Sequence, residues 1–303
     1  MEKISIVIPV YFSEANLEQL YADLQDNLIG KIGIDYELVF VDDGSKDGSW
    51  EVLKSLATRD RHVRLFRLSR NFGSHAAILC GLVNSSGDCA VVKAADMQEP
   101  TELILDMYNK WKDGNNVVLA IRESREDSAL FSDLYYWLTR KVALPNMPRN
   151  GFDVFLLDRK VIEVLRDMDE RNSALTGQIL WSGFQTTAVP YIRRKREIGK
   201  SRWTLYKKMR LVSDTLFTFS TIPISFVSCL GSIALIISLI WSVIVFIGKL
   251  RDKIPITGFT TLMIFNLSAF GIIMLTLGIL GSYLWRTFSA SLKRPTFIVE
   301  ERI

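Results

Sequence analysis

Asp96, Gln98 and Glu99 place three oxygen-bearing side chains within four residues, immediately beyond the apolar run Cys89–Val92. Hard oxygen donors at that spacing are the kind that hold Mg²⁺ or Mn²⁺ against substrate phosphates. The run itself, bounded by Gly87-Asp88 and Pro100, reads as a parallel strand covered on both faces, and the C-terminal end of such a strand is where an α/β sheet binds ligands. A polar βα loop without chemistry would carry the same residues. A second acidic group, Asp42-Asp43 before Gly44-Ser45, closes another apolar run. Carboxylates there suit ribose hydroxyls or a base N–H, although Asp-Gly is equally common as turn punctuation. Neighbouring strand ends converge on one crevice, which ties the two groups together. No Gly-x-Gly-x-x-Gly follows a strand, which argues against a dinucleotide.

The elements that must position these residues alternate between strand and helix patterns. Ile4–Tyr11, Tyr36–Val41, Val63–Leu68, Cys89–Val92 and Val117–Ile121 read as strands. Glu14–Leu28, Ser49–Ala57, Ala76–Asn84 and Glu102–Lys112 read as the helices between and after them. That alternation predicts an α/β fold with a mostly parallel, doubly wound sheet.

The 303 residues are 49% hydrophobic with a net charge of +4, and the apolar excess collects after about residue 215. Thr215 to Gly248 and Ile254 to Trp285 carry no charged side chain, and each exceeds the ~20 residues that cross a bilayer. The start of the chain, where Met1-Glu-Lys leads straight into a strand, reads as lacking a signal peptide. Cys80, Cys89 and Cys229 have no metal or redox spacing and fit a reducing compartment. Only His62 and His75 are present, so any metal is expected on oxygen.

Taken in order, Ile6-Val-Ile-Pro-Val-Tyr11, Val41-Asp-Asp-Gly-Ser45, Leu68-Ser-Arg-Asn-Phe-Gly73, Gly87-Asp88 and Asp96-Met-Gln-Glu-Pro100 resemble family 2 glycosyltransferases of the GT-A, Rossmann-like fold. Among them the chain is most similar to polyprenyl-phosphate glycosyltransferases, such as dolichyl-phosphate mannose synthases and bacterial undecaprenyl-phosphate (bactoprenol) enzymes. The resemblance implies that Pro9, Tyr11, Glu14, Asp42 and Asp43 line a nucleotide-sugar pocket, and that Asp96 and Gln98 hold Mg²⁺ or Mn²⁺ on the donor diphosphate. It places Asp153 near the reacting atoms. It also places an acceptor-phosphate site in the stretch that contains Arg125 and Ser132, and a diphosphate-closing loop at Arg196, Lys200 and Ser201. The chain departs from the pattern twice. Ala94 stands where the first acid of Asp-x-Asp is usual, and Phe155 where an arginine is usual. Lys93, uncommon beside a metal, is read as a candidate phosphate contact or, equally, as a lysine that points away from the site.

Three regions follow: a cytoplasmic GT-A domain at 1–203, an amphipathic interfacial helix at 204–221, and a membrane anchor at 222–303. In the anchor, two transmembrane helices are expected at about 223–247 and 258–285. A single helix from Thr215 to Gly248 would be about 50 Å long, so Pro223 is read as the break. Nine Lys or Arg lie between Arg193 and the first span against three in the loop Lys249 to Pro255. By the positive-inside rule this puts both termini and the active site on the cytoplasmic side of a multi-pass cell (inner) membrane protein. Gly271, Gly278 and Gly281 offer a surface for homo-oligomers. The expected partners are a nucleotide sugar, UDP-linked by first choice, a polyprenyl phosphate and the lipid bilayer; no nucleic acid is expected. The expected reaction is inverting hexose transfer onto the lipid phosphate. Two rivals remain. A processive synthase should carry Gln-x-x-Arg-Trp, and Gln178-Ile-Leu-Trp181 lacks the arginine. A catalytically impaired nucleotide-sugar binder or scaffold would explain Ala94 and Phe155.

Overall fold

The computed structural model describes residues 2–123, 136–141, 143–168, 174–194, 218–220, 222–250 and 258–303. Arg125, Ser132, Arg196, Lys200, Ser201 and nearly all of the amphipathic segment 204–221 lie outside the described residues. Two compact units are present: Met1–Thr215 with Lys293–Ile303, and Leu216–Leu292.

The first unit is built on an eight-stranded sheet. Its strands are β1 (Lys3–Val10), β2 (Asp35–Asp42), β3 (Val63–Leu68), β4 (Cys89–Val92), β5 (Val117–Arg122), β6 (Phe155–Asp158), β7 (Thr186–Tyr191) and β8 (Val299–Arg302), in the order β7-β5-β6-β4-β1-β2-β3-β8. The central set β4-β1-β2-β3 is parallel, as is β5 with β7, whereas β6 runs antiparallel to both β4 and β5. The helices are α1 (Glu14–Leu24), continued by a π-turn at Gln25–Ile29, α2 (Ser49–Arg59), α3 (Ser74–Asn84), α4 (Leu103–Lys112), α5 (Arg159–Asp167) and α6 (Leu175–Trp181).

Alternation along the strands distributes the core. Ile4, Ile6 and Ile8 pack with Leu17, Leu20 and Leu24 of α1, Trp50, Leu53 and Leu56 of α2, and Met107 of α4. Val7 points the other way, toward α3, where a Cβ on Gly81 would fall 2.3 Å from Val7 Cγ1, so only glycine admits this closeness. Each fully buried Leu or Ile is worth roughly 1.5–3 kcal/mol, which is what fixes the sheet as a platform. The chain moves outward one way through β1, β2 and β3 and the other way through β4, so a switch point opens between β1 and β4 at their C-terminal ends.

Three strands escape the sequence pattern. β6 is only four residues long, β7 contains Pro190, and β8 reads Val-Glu-Glu-Arg. Prolines and charges of this kind belong at sheet edges, where one side of the strand has no ladder to satisfy. β7 and β8 are indeed the two edges. Consequently residues 293–303, grouped with the anchor in the sequence reading, fall in the sheet-bearing unit.

In the second unit, α7 (Ile222–Leu250) and α8 (Phe259–Ser291) form a hairpin. Arg286 Nη1 donates to Thr218 Oγ1 at 3.0 Å and Tyr283 Oη to the Ser220 carbonyl at 3.4 Å, which ties the end of α8 to the segment before α7. Among the described residues one stretch, Ala269–Ser291, is long and apolar enough to cross a membrane, with a mean hydropathy of 1.4.

Candidate active site

The ends of β1, β2, β4, β5 and β7, and the start of the reversed β6, all meet at one edge of the sheet. This brings Tyr11, Asp42, Asp96, Arg122, Asp153 and Arg193 to one rim although they are spread over nearly 200 positions.

At the end of β2, Asp42 is fully buried. Its Oδ1 accepts from Ser45 N at 3.1 Å, while Oδ2 lies 3.5 Å from Arg67 Nε and has no hydrogen-bond donor among the described residues. Burial holds its carboxyl above the usual aspartate range, against the pull of Ser45 and Arg67. Asp43 behaves differently, accepting Phe72 N at 2.7 Å and Gly73 N at 2.9 Å, so it braces the loop before α3. Gly44 completes that brace: its φ is +69° and a Cβ would meet the Arg70 carbonyl carbon at 2.7 Å. Glu14 accepts Gly48 N at 2.8 Å at the head of α2. Tyr11 and Phe12 stack edge to face with Tyr11 over a third exposed, and Phe12 takes a φ of +53°. Pro9 lies in β1, paired with Val41 of β2.

At the end of β4, Asp96 Oδ1 accepts Gln98 N at 3.3 Å across Met97, whose φ is +57°. Two non-glycine residues in the left-handed region, one on each side of the β1/β4 crevice, are backbone strain gathered at a binding edge. Lys93 does not reach this edge. Alternation puts it on the face of Val91, and at 2% exposure its Nζ donates to the Glu99 carbonyl at 2.9 Å. Direct phosphate contact is therefore corrected to support of the Asp96–Glu99 turn from beneath. Burial lowers its ammonium pKa, partly offset by Glu99 and Asp23.

Glu99, the third oxygen donor of the sequence reading, is enclosed as well, at 3% exposure, and its Oε2 has no hydrogen-bond partner among the described residues. Burial first and then Asp96 push its carboxyl up to about 7, against Lys93 and Arg193. The unfolded chain ionises this group near its ordinary 4.5 and the folded chain only near 7, so Glu99 erodes stability as pH rises through that window. We expect Glu99→Gln to melt like the wild type near pH 5 and to be more stable by up to about 3 kcal/mol at pH 8, read by thermal melting in detergent.

Asp153 precedes β6 and accepts from Arg122 Nη2, whose Nε donates to Tyr191 Oη at 3.3 Å. Burial pulls the Arg122 guanidinium down, but Asp153 and Tyr191 outweigh it and leave it above its ordinary value. Arg122 is the last residue of β5 and closes the apolar run that the sequence reads as the strand Val117–Ile121. Phe155, at the usual arginine position, is 1% exposed and packs edge to face on Phe152, so that position serves the core.

Asp96 and Gln98 supply one carboxylate and one amide oxygen, a donor set that suits a Mg²⁺ or Mn²⁺ ion sharing its remaining positions with substrate phosphates. Among the described residues no group of three or more His, Cys, Asp or Glu side chains forms a closed metal cage.

Comparison with known proteins identifies the family. The chain is 36% identical over 301 residues to the uncharacterized glycosyltransferase YkcC of Bacillus subtilis, covering 98% of this chain and 93% of that protein. It is 31% identical over 302 residues to the bactoprenol glucosyl transferase of Shigella phage SfV, covering 98% of each. Among solved structures, S. aureus TarS in complex with UDP-GlcNAc aligns at 17% identity and a TM-score of 0.48, covering 72% of this chain and 67% of that one. The sequence model described as Glycosyl transferase family 2 matches residues 5–166, more than half of the length. The chain belongs to glycosyl transferase family 2 and is a glycosyltransferase.

Proposed function

We propose that the protein moves a hexose, with inversion, from a UDP-sugar to a polyprenyl phosphate at the cytoplasmic face of the cell membrane, making a lipid-linked sugar donor. The observation that carries the reading is the convergence of Asp42, the Asp96–Gln98 turn and the Arg122–Asp153 pair on one sheet edge. Its setting is a chain that matches bactoprenol glucosyl transferases end to end.

In this reading the unpartnered Oδ2 of Asp42 accepts from the base or ribose, with Pro9 and Tyr11 lining the pocket. Asp43 and Glu14 act by holding the surrounding loops. Asp96 and Gln98 hold the ion, which when bound stabilises negative charge on the leaving diphosphate. Arg196, Lys200 and Ser201 add cationic and hydroxyl donors to that diphosphate, and Arg125 and Ser132 hold the acceptor phosphate. A phosphate monoester with a second pKa near ~6 is largely ionised at neutral pH, so its oxygen attacks the anomeric carbon without a strong base. Asp153, fixed by Arg122, orients the acceptor or the sugar.

The membrane part of the proposal is two spans, α7 and α8. The chain leaves the sheet-bearing unit before α7 and returns to it for β8, which supports an even number of crossings in this reading. If α8 spans, α7 spans with it.

The test is transfer of labelled sugar from a panel of UDP- and GDP-sugars into organic-extractable lipid, with purified protein, undecaprenyl phosphate and Mg²⁺ or Mn²⁺. Label from one donor supports the reading and names the sugar. Nucleotide binding without transfer from any donor favours the impaired binder, and Ala94→Asp should then create activity.

A further inference from the structure

The chain that follows β7 holds Gln98 at its carbonyl and at both ends of its side-chain amide. Arg194 N donates to the Gln98 carbonyl at 2.8 Å, Gln98 Nε2 donates to the Arg194 carbonyl at 3.3 Å, and Arg193 Nη2 donates to Gln98 Oε1 at 2.5 Å. The bond from Nε2 to a carbonyl fixes the orientation of the amide, so the oxygen is the atom that faces the guanidinium. Arg193 has a further donor, its Nε, which is buried and has no hydrogen-bond partner among the described residues. The same guanidinium acts electrostatically on Glu99, one residue beyond Gln98.

These contacts put two cations in conflict. Gln98 Oε1 is the amide oxygen that the donor set above gives to a divalent ion, yet Arg193 already uses it. An ion within ~2.1 Å of that oxygen would stand about 4 Å or less from a guanidinium nitrogen, and like charges at that distance repel strongly in a partly dehydrated site. The guanidinium then turns to the nearest anion. An arginine fork with an unpaired Nε matches phosphate oxygens side-on.

We propose that Arg193 and the divalent ion alternate on Gln98 Oε1, and that the displaced Arg193 then grips the donor diphosphate. The proposal rests on the glycosyltransferase reading above and adds to it a donor-binding residue whose engagement is coupled to metal binding. In this arrangement Gln98 is the relay: it keeps the guanidinium beside the turn until the ion and the diphosphate arrive together.

Mn²⁺ binding followed by electron paramagnetic resonance, and UDP binding followed by calorimetry, test this on the full-length chain in detergent. In the absence of nucleotide, Arg193→Ala should bind Mn²⁺ about tenfold more tightly than the wild type, because the competitor is gone. At saturating Mn²⁺ the same variant should bind UDP about tenfold more weakly. Arg193→Lys, which keeps the charge but not the fork, should fall between them in both assays and guards against a folding defect in the alanine variant. Unchanged Mn²⁺ affinity, or weaker Mn²⁺ binding together with normal UDP binding, would overturn the alternation while leaving the donor-site reading intact. A wild type that binds neither Mn²⁺ nor UDP would remove both.

Discussion

Sugar transfer by the Asp96→Ala variant is expected to fall by about 10²–10³-fold with the fold retained. Asp96 sits beyond the last paired residue of β4 and is only half-buried, so its removal opens no core cavity. Its expected weight comes from the make-up of this turn. Ala94 supplies no second carboxylate, Glu99 is enclosed, and Gln98 offers only a neutral oxygen. In the proposed reading, an ion that neutralises a leaving diphosphate would draw one anionic ligand from this turn, and losing it would remove stabilisation that matters most in the transition state. Steady-state transfer at saturating Mg²⁺ and Mn²⁺ is the measurement, with Asp96→Glu expected to recover part of the rate. Transfer within threefold of wild type in Asp96→Ala would exclude a metal role for this residue.

Glu37→Ala is expected to destabilise the sheet-bearing unit by about 3–5 kcal/mol, enough to unfold a marginal domain. Glu37 lies at the opposite end of β2 from Asp42, with 2% exposure. It accepts from Ser5 Oγ at 2.6 Å, Ser86 N at 2.5 Å, Ser86 Oγ at 2.8 Å and Arg64 Nη1 at 3.1 Å, with Lys3 Nζ at 3.5 Å. Burial alone would raise its carboxyl, but these donors outweigh it and bring it down to about 2. A depressed folded pKa means stability that is fully present above the ordinary 4.5 and lost as pH falls toward 2. Alanine strands Arg64, Lys3 and two serines around a hole, whereas Glu37→Gln keeps the shape and should cost less. Circular dichroism melts at neutral pH and near pH 3 separate the two: the gap between wild type and Gln should narrow in acid.

The parallel centre of the sheet was legible because buried parallel strands are near-continuous apolar runs, and β1, β2 and β3 fall where those runs do. The Asp42 and Asp96 positions at strand ends were legible for the same reason, since both acids stand where such runs stop. Burial of the polar residues next to them was not. Lys93 and Glu99 look like ligands in one dimension, and only the pleat and the covering α1 and α4 show that both are enclosed. Arg122 was hidden because it follows the last apolar residue of its run and reads as a loop charge. Arg193 read as one charge among many, and its bond to a side chain 95 positions away has no local signature.

The pairing of β8 with β3 also sets an order of events during synthesis. Leu65 exchanges both backbone hydrogen bonds with Ile303, and Ser69 N donates to Ile298, so the outer edge of β3 is closed by residues made about 230 positions later. At ~5–20 residues per second the ribosome needs roughly 10–50 seconds to deliver them. For that interval β3 presents an open ladder of amides and carbonyls, the surface on which nascent chains join one another. Both α7 and α8 are translated within that same interval, so the sheet gains its last strand only after the hydrophobic hairpin has left the ribosome.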